Sequence, residues 1–269
     1  MRVQKRSGEQ EDYTVEKIHQ VLEWATEGVN GVSVSEIEMN ANLSLYNGIS
    51  TNDIHKLLIK SANDLTSKQT PNYQFVAARL LNMSLRKEVW ADAQRPPSLL
   101  HHIQIKVDNG VYDPAILEKW SPEEIESIDS LINHGRDDIF TYAGLQQMID
   151  KYLVKNRNTG EIYETPQFAY VLIAMCLFSS IQSVKRAYDS YSTFKVNLPT
   201  PIMAGVRTNI KQFASCVLVD VDDTLESIFS SIHAVGKYTA RRAGIGLNIG
   251  RVRPINSSIR GGEVIHTGI

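Results

Sequence analysis

Behind one glycine turn, residues 14–90 hold four successive segments whose apolar residues recur every three to four positions, each with its own start and stop. Such a run can hide its apolar stripes only by packing helix on helix, so the chain must open with a small helical bundle. Thr14 can cap the first segment, where Val15, Ile18, Val21, Leu22 and Ala25 share a face and Gly28 closes the helix. Ser33 and Glu36 have the spacing of a capping box for a second helix that ends before Asn47-Gly48. A third begins after Ser50-Thr51 and buries Ile54, Leu57, Leu58, Ala62 and Leu65. The fourth starts at Pro71, where a proline fits the first turn, and runs through Phe75, Ala78, Leu81 and Leu85 to about Trp90. Ahead of them Arg2 to Tyr13 reads as a hairpin turning at Ser7-Gly8, because glycine supplies the positive φ of a tight turn. Pro96-Pro97 ends this unit.

From Ile103 to Ser192 the pattern stays helical, with Ser121-Pro-Glu-Glu opening one helix and residues 156–160 forming a polar turn. After Phe194 the texture changes. VNLPTPIMAGVR reads as extended and proline-punctuated, CVLVDV as a buried strand and Leu225 to Thr239 as a helix. The chain stops at HTGI without a closing element. An apolar share of 42% against 22% charge suits a globular protein with a real core. A net charge of −2 creates no field that would draw a polyanion, so nucleic acid is not an expected partner. The longest apolar run, Phe168 to Phe178, is shorter than the roughly 20 residues that span a bilayer, and no targeting segment opens the chain. A cytoplasmic protein without a membrane partner is expected. With only Cys176 and Cys216, neither a disulfide framework nor a cysteine zinc site can be built, and no metal is expected. Cys176 reads as a small buried hydrophobe, and spacing alone makes Cys216 a buried structural thiol.

Lys5 and Arg6 precede the hairpin turn, Lys17 lies one turn into the first helix and Lys87 closes the fourth. These four cations could converge on a triphosphate beside the N-terminus of the Thr14 helix, or could form an ordinary solvated basic face. Thr51 and His55 share one side of the third helix, although a lone histidine there is usually a surface residue. RRAGIGLNIGR, with Gly244, Gly246 and Gly250, lacks the preceding strand of a dinucleotide fingerprint. Its glycines are better suited to close approach by a ligand or a neighbouring strand. Asp222-Asp223 reads first as an N-cap and, more sharply, as a ligand contact; Arg253 and Arg260 read as solvated charges.

In order, VQKRSG with EKI, TNDIHKLLIKSA and FVAARLLN resemble the ATP-cone of ribonucleotide reductases. KYLVKNRNTGEIYETPQFAYVLIA, STFKVNLPTPIMAGVRT, QFASCVLV, RAGIGLNIGRVR and IRGGEVIHTG resemble the helical domain and first barrel segments of the class I large (alpha) subunit. The resemblance covers the whole chain. It implies an α+β, mostly helical fold: an ATP-cone of a hairpin plus four helices over 1–92, a helical domain over 93–193, and from 194 the beginning of a ten-stranded α/β barrel.

Residue by residue, the resemblance places an allosteric activity site for ATP or dATP on Lys5, Arg6, Glu11, Asp12, Tyr13, Thr14, Val15, Glu16, Lys17, Thr51, His55 and Lys87. Two positions depart from the pattern: Ser7 stands where an acidic residue usually precedes the turn glycine, and Thr14 where asparagine is frequent. A second allosteric site, selecting the substrate base with deoxynucleoside triphosphates, would use Asp223, Thr224, Leu225, Arg253 and Arg260. Thr200, Ser215 and Gly244 match substrate-binding positions, and Cys216 matches one of two reducing cysteines. The implied chemistry is removal of the ribose 3′ hydrogen by a cysteinyl radical, loss of water from C2′, and two-electron reduction by a dithiol that becomes a disulfide. Implied partners are the remainder of the large subunit, a small subunit holding the radical cofactor, thioredoxin or glutaredoxin, and nucleoside diphosphate substrates. The competing reading is a non-catalytic, nucleotide-sensing regulatory subunit. Repressors that also carry a cone place a cysteine-paired zinc ribbon before it, for which this chain has no cysteines.

Overall fold

The computed structural model describes every residue except Arg6, Ser7, Leu43, Ser44, Asp92, Ala93, Arg242 and Ile269, so the expectations for Arg6 and Ser7 lie outside the described residues. The chain forms two compact units, one of Met1–Leu198 with Val206–Asn209 and one of Pro199–Gly205 with Ile210–Ile269.

The first unit opens with the hairpin. Strand β1 (Arg2–Gln4) pairs antiparallel with β2 (Gln10–Asp12), and Gly8 turns with φ +89°. The other edge of β1 is taken by the segment before the third helix: Gln4 N donates to Ile49 O at 3.0 Å and Gly48 N to Arg2 O at 2.8 Å. Val3 is thereby set against Ile49 and Ile54, which fastens the hairpin to the bundle.

Helices α1 (Val15–Thr26), α2 (Val34–Asn42), α3 (Thr51–Asp64) and α4 (Tyr73–Trp90) enclose a core that includes Leu22, Ile37, Leu58, Ala62, Val76 and Leu80. Thr14 takes the extended cap conformation, but its hydroxyl donates to Asp12 O at 3.3 Å and accepts nothing from the helix. The Ser33–Glu36 box is half formed. Glu36 N donates to Ser33 Oγ at 3.4 Å, while the Glu36 carboxylate accepts from the hydroxyl of buried Tyr73, which in turn accepts from Ser33 N at 2.9 Å. Tyr73 thus completes from α4 a cap that local spacing assigns to α2 alone.

The helical layer follows as α5 (Leu99–Asp108), α6 (Ala115–Lys119), α7 (Pro122–Asp129), α8 (Tyr142–Gln147) running into a π-turn at Met148–Tyr152, α9 (Pro166–Leu177) and α10 (Ile181–Ser192). Ser121 and Glu124 make the full reciprocal capping box of α7. Every residue of α9 from Pro166 to Met175 is buried, so its apolar run lies in the core. Among the described residues no helix is long and apolar enough to cross a membrane. Cys176, at the end of α9, is only partly buried, because it lies where the helix leaves the core.

In the second unit α11 (Thr200–Gly205) precedes β3 (Cys216–Asp220), α12 (Leu225–Ala240), β4 (Gly244–Asn248), β5 (Ser258–Ile259) and β6 (Val264–Ile265). The extended reading of VNLPTPIMAGVR fails over residues 200–205, because Pro201 sits in a first turn, where its missing N–H is not needed, and starts a helix. β3 and β4 pair in parallel with Cys216 opposite Gly244, joined through α12, and β5 pairs antiparallel with β6. The described strands form three two-stranded sheets and no closed barrel.

Nor is β3 buried. Among the described strands it pairs only with β4, and Leu218 is 88% exposed. Gly246 lies within β4, where a Cβ would come within 2.6 Å of Leu218 Cδ2, the tip of an exposed side chain that can turn aside. Thr224, not the preceding aspartates, caps α12, its hydroxyl accepting from Ser227 N at 3.1 Å.

Candidate nucleotide site

Where the hairpin meets α1, α3 and α4, the first unit opens a cleft of about 200 Å³. Val3, Ile18, Val21, Ile54 and Leu58 supply apolar lining; Glu11, Tyr13, Thr14, Lys17, Thr51, His55 and Lys87 supply polar groups. Seven of the twelve activity-site residues named from sequence therefore meet in one cleft. Lys5 adjoins them: a single oxygen of Glu11 accepts from Lys17 at 2.9 Å and from Lys5 at 3.1 Å. The Lys17 contact first, then the Lys5 contact, holds the Glu11 carboxyl below the usual carboxylate range. Two ammonium groups are thereby gathered at one wall of the cleft, with Lys87 also lining it.

His55 is not the surface residue that a lone helical histidine usually is. It is 9% exposed, and its Nε2 donates to Leu80 O on α4 at 2.6 Å. The sequence carried no local sign of this, since the partner carbonyl lies 25 residues away. Asp12, Val15 and Glu16 do not line the cleft; Asp12 is exposed and stands 4.0 Å from Arg2, and Val15 and Glu16 are exposed on the first turn of α1.

Three family models match the chain: the ATP cone domain over residues 1–88, the ribonucleotide reductase all-alpha domain over 139–211 and the ribonucleotide reductase barrel domain over 214–269. The chain is 50% identical to the ribonucleoside-diphosphate reductase 1 subunit alpha of Salmonella typhimurium and 49% identical to that of Escherichia coli, each over 99% of this chain and 36% of the relative. It is 44% identical to the subunit alpha of Enterobacteria phage T4, over 98% of this chain and 36% of the relative. The chain belongs to the ribonucleotide reductase large-subunit family. It spans about a third of the length of these relatives.

The second unit holds the other residues named from sequence, most of them at the two ends of the β3–β4 pair. Gly244 N donates to Ser215 O at 2.9 Å, and a Cβ on Gly244 would lie 3.6 Å from Cys216 Sγ, so the missing side chain leaves room beside an exposed thiol. Thr200 opens α11, on a separate element of the same unit. At the other end of the strand pair, Arg253 Nε donates to both Asp223 oxygens at 2.9 and 2.7 Å, which keeps that carboxyl below its ordinary range. Thr224 and Leu225 begin α12, and Arg260 sits in the β5–β6 turn with φ +51°.

Sequence reading missed Arg251, which stands 3.1 Å from Asp222 and 3.9 Å from Asp220 and repeats the acid–arginine pairing beside Asp223. The alternation Arg-Val-Arg was its available signal. Among the described residues no cluster suited to a metal ion occurs.

Proposed function

We propose that this chain is the N-terminal part of a ribonucleoside-diphosphate reductase alpha subunit, with its cone ending near residue 92, its helical domain over 93–193 and barrel segments from 194. The cone cleft is its allosteric activity site for ATP or dATP. The observation that carries this reading is the convergence of Lys5, Lys17, Lys87, Thr51 and His55 on a half-apolar cleft, inside the segment that matches the cone. An apolar wall suits a purine, and ammonium groups suit phosphates as charge-assisted donors.

In the barrel segment, Cys216 supplies one thiol of the dithiol that reduces the ribose, with Thr200, Ser215 and the backbone at Gly244 holding substrate. Asp223, Thr224, Leu225, Arg253 and Arg260 form the specificity site, where Arg253 holds Asp223 through Nε and its terminal guanidinium nitrogens can donate to phosphate. Reduction of nucleoside diphosphates proceeds when the rest of the barrel and a radical-generating small subunit complement this chain, and thioredoxin or glutaredoxin restores the dithiol in the cytoplasm.

Calorimetric titration of the chain with ATP and dATP tests the cone. Loss of one charge-assisted phosphate contact costs about 1.5–3 kcal/mol, so Lys5→Ala with Lys87→Ala should weaken binding by more than roughly tenfold. Equal affinity in the double variant and the wild type would make the cluster a solvated face.

A further inference from the structure

Helix α4 belongs to both layers of the first unit. Its first half lies in the cone core, where Leu80 also accepts from His55, and Lys87 near its end lines the cleft. Between these two points Asn82 and Arg86 turn to the helical layer. There Arg86 Nη2 donates to one oxygen of Asp137 at 2.9 Å and Gln167 Nε2 to the other at 2.8 Å, while Asn82 Nδ2 lies 3.4 Å from the first. Arg86 also donates to His134 O, and the Tyr188 hydroxyl donates to Gln167 Oε1 at 2.7 Å, so the joint reaches α9 and α10. The Asp137 side chain is completely enclosed.

Yet the joint is incompletely paired. Arg86 Nε, Trp90 Nε1, Asn82 Oδ1 and His134 Nδ1 are all buried and meet no protein hydrogen-bond partner among the described residues. They occupy one neighbourhood: the Arg86 guanidinium lies 5.5 Å from the centre of the Trp90 ring, and the Trp90 and His134 rings meet edge-on at 5.1 Å. Burial, then Arg86, pushes His134 down to about 4, so the ring is neutral and its Nδ1 can accept when the proton sits on Nε2. The unpaired set therefore holds two donors and two acceptors, equal in number. Fully paired buried networks rigidify a core, whereas a complementary unpaired set favours any small shift that pairs it.

We propose that the Asp137 joint has a second arrangement in which these four groups pair, and that a nucleoside triphosphate in the cone cleft drives it there through Lys87 and the last turns of α4. Asp137 is then a positioning residue, the fulcrum that converts cleft occupancy into a change at α9. This coupling rests on the reading of the cleft as a nucleotide site. Reciprocity requires that anything favouring the unpaired arrangement weaken nucleotide binding.

Trp90→Phe keeps an aromatic ring but deletes one unpaired donor from the present arrangement and one pair from the second, so it favours the present one. Trp90 does not line the cleft. ATP affinity of the variant, measured by calorimetry on the whole chain, should fall at least about fivefold. Affinity within twofold of the wild type, or tighter, would overturn the coupling.

Should the variant fail to fold, hydrogen exchange of the wild type decides. Saturating ATP should slow exchange over residues 82–90 and 133–140, and unchanged exchange there with ATP bound overturns the coupling while leaving the cleft reading intact. No ATP binding by the wild type would remove both.

Discussion

Glu164 and Arg207 form an ion pair with both side chains fully buried, and neutralising one of them should be among the most damaging isosteric changes in this chain. The Glu164 carboxylate accepts from Arg207 Nε and the Tyr112 hydroxyl, each at 2.7 Å, from Val154 N at 2.6 Å, and from Arg207 Nη2. Behind them His102 Nε2 lies 3.1 Å from the Tyr112 oxygen, whose own proton goes to Glu164, so His102 is the donor there.

Glu164→Gln preserves volume but removes the charge and turns an NH2 group toward donors. Arg207 then keeps its charge, with no exposed surface and without the Glu164 carboxylate. Breaking a buried pair from one side costs about 3–5 kcal/mol, which for a unit of some 200 residues lowers Tm by roughly 6–20 °C. Adding Arg207→Met removes the stranded charge and should recover a large part of the loss. Thermal unfolding followed by circular dichroism reads both variants. A Tm shift below about 2 °C for Glu164→Gln, or a double variant no more stable than the single one, would refute this account of the pair.

Burial, above all, pushes His102 down to about 3, so between its unfolded value near 6.5 and that point the unfolded chain binds a proton that the folded chain does not. Stability should therefore fall as pH drops through this window, and His102→Gln should flatten that acid limb; parallel wild-type and variant curves would contradict the assignment. For Cys216, a Cys216→Ser complex with the remaining barrel and small subunit should assemble normally but lose multiple-turnover reduction with thioredoxin. Wild-type turnover would remove the thiol from the proposed chemistry.

The cone was legible in sequence because each of its parts announces itself locally. Thr14, Ser50 and Gly8 mark the ends, and stripes such as Ile54, Leu58 and Ala62 mark the buried faces. What stayed hidden depends on partners distant in sequence. His55 is buried because Leu80 lies above it, Tyr73 completes a cap begun at Ser33, and Asp137 is held by side chains 30 to 55 positions away. The short α11 is hidden for another reason, since Pro199 and Pro201 look alike in sequence whether a proline breaks a helix or starts one. The exposure of β3 could not be read from CVLVDV either. An apolar run states that a strand can be covered on both faces, not which elements cover it.

The strand pair that carries the proposed catalytic groups also fixes how they stand relative to the proposed specificity groups. Ser215, Cys216 and Gly244 lie at the N-terminal end of β3 and β4, while Asp223 and Arg253 follow their C-terminal end. At about 3.3 Å per residue, the five-residue strands set the two ends roughly 13 Å apart. A ligand that separates Arg253 from Asp223 acts on the loops that leave both strands at once. Among the described elements, its effect can pass to the thiol along the β3–β4 ladder or around it through α12. Because parallel pairing fixes Cys216 opposite Gly244 and Asp220 opposite Asn248 in one register, a slip at either end would have to move the whole ladder. Adjustment through α12, with the strands held, is therefore the less costly route by which an effector at Arg253 could reshape the space beside Cys216.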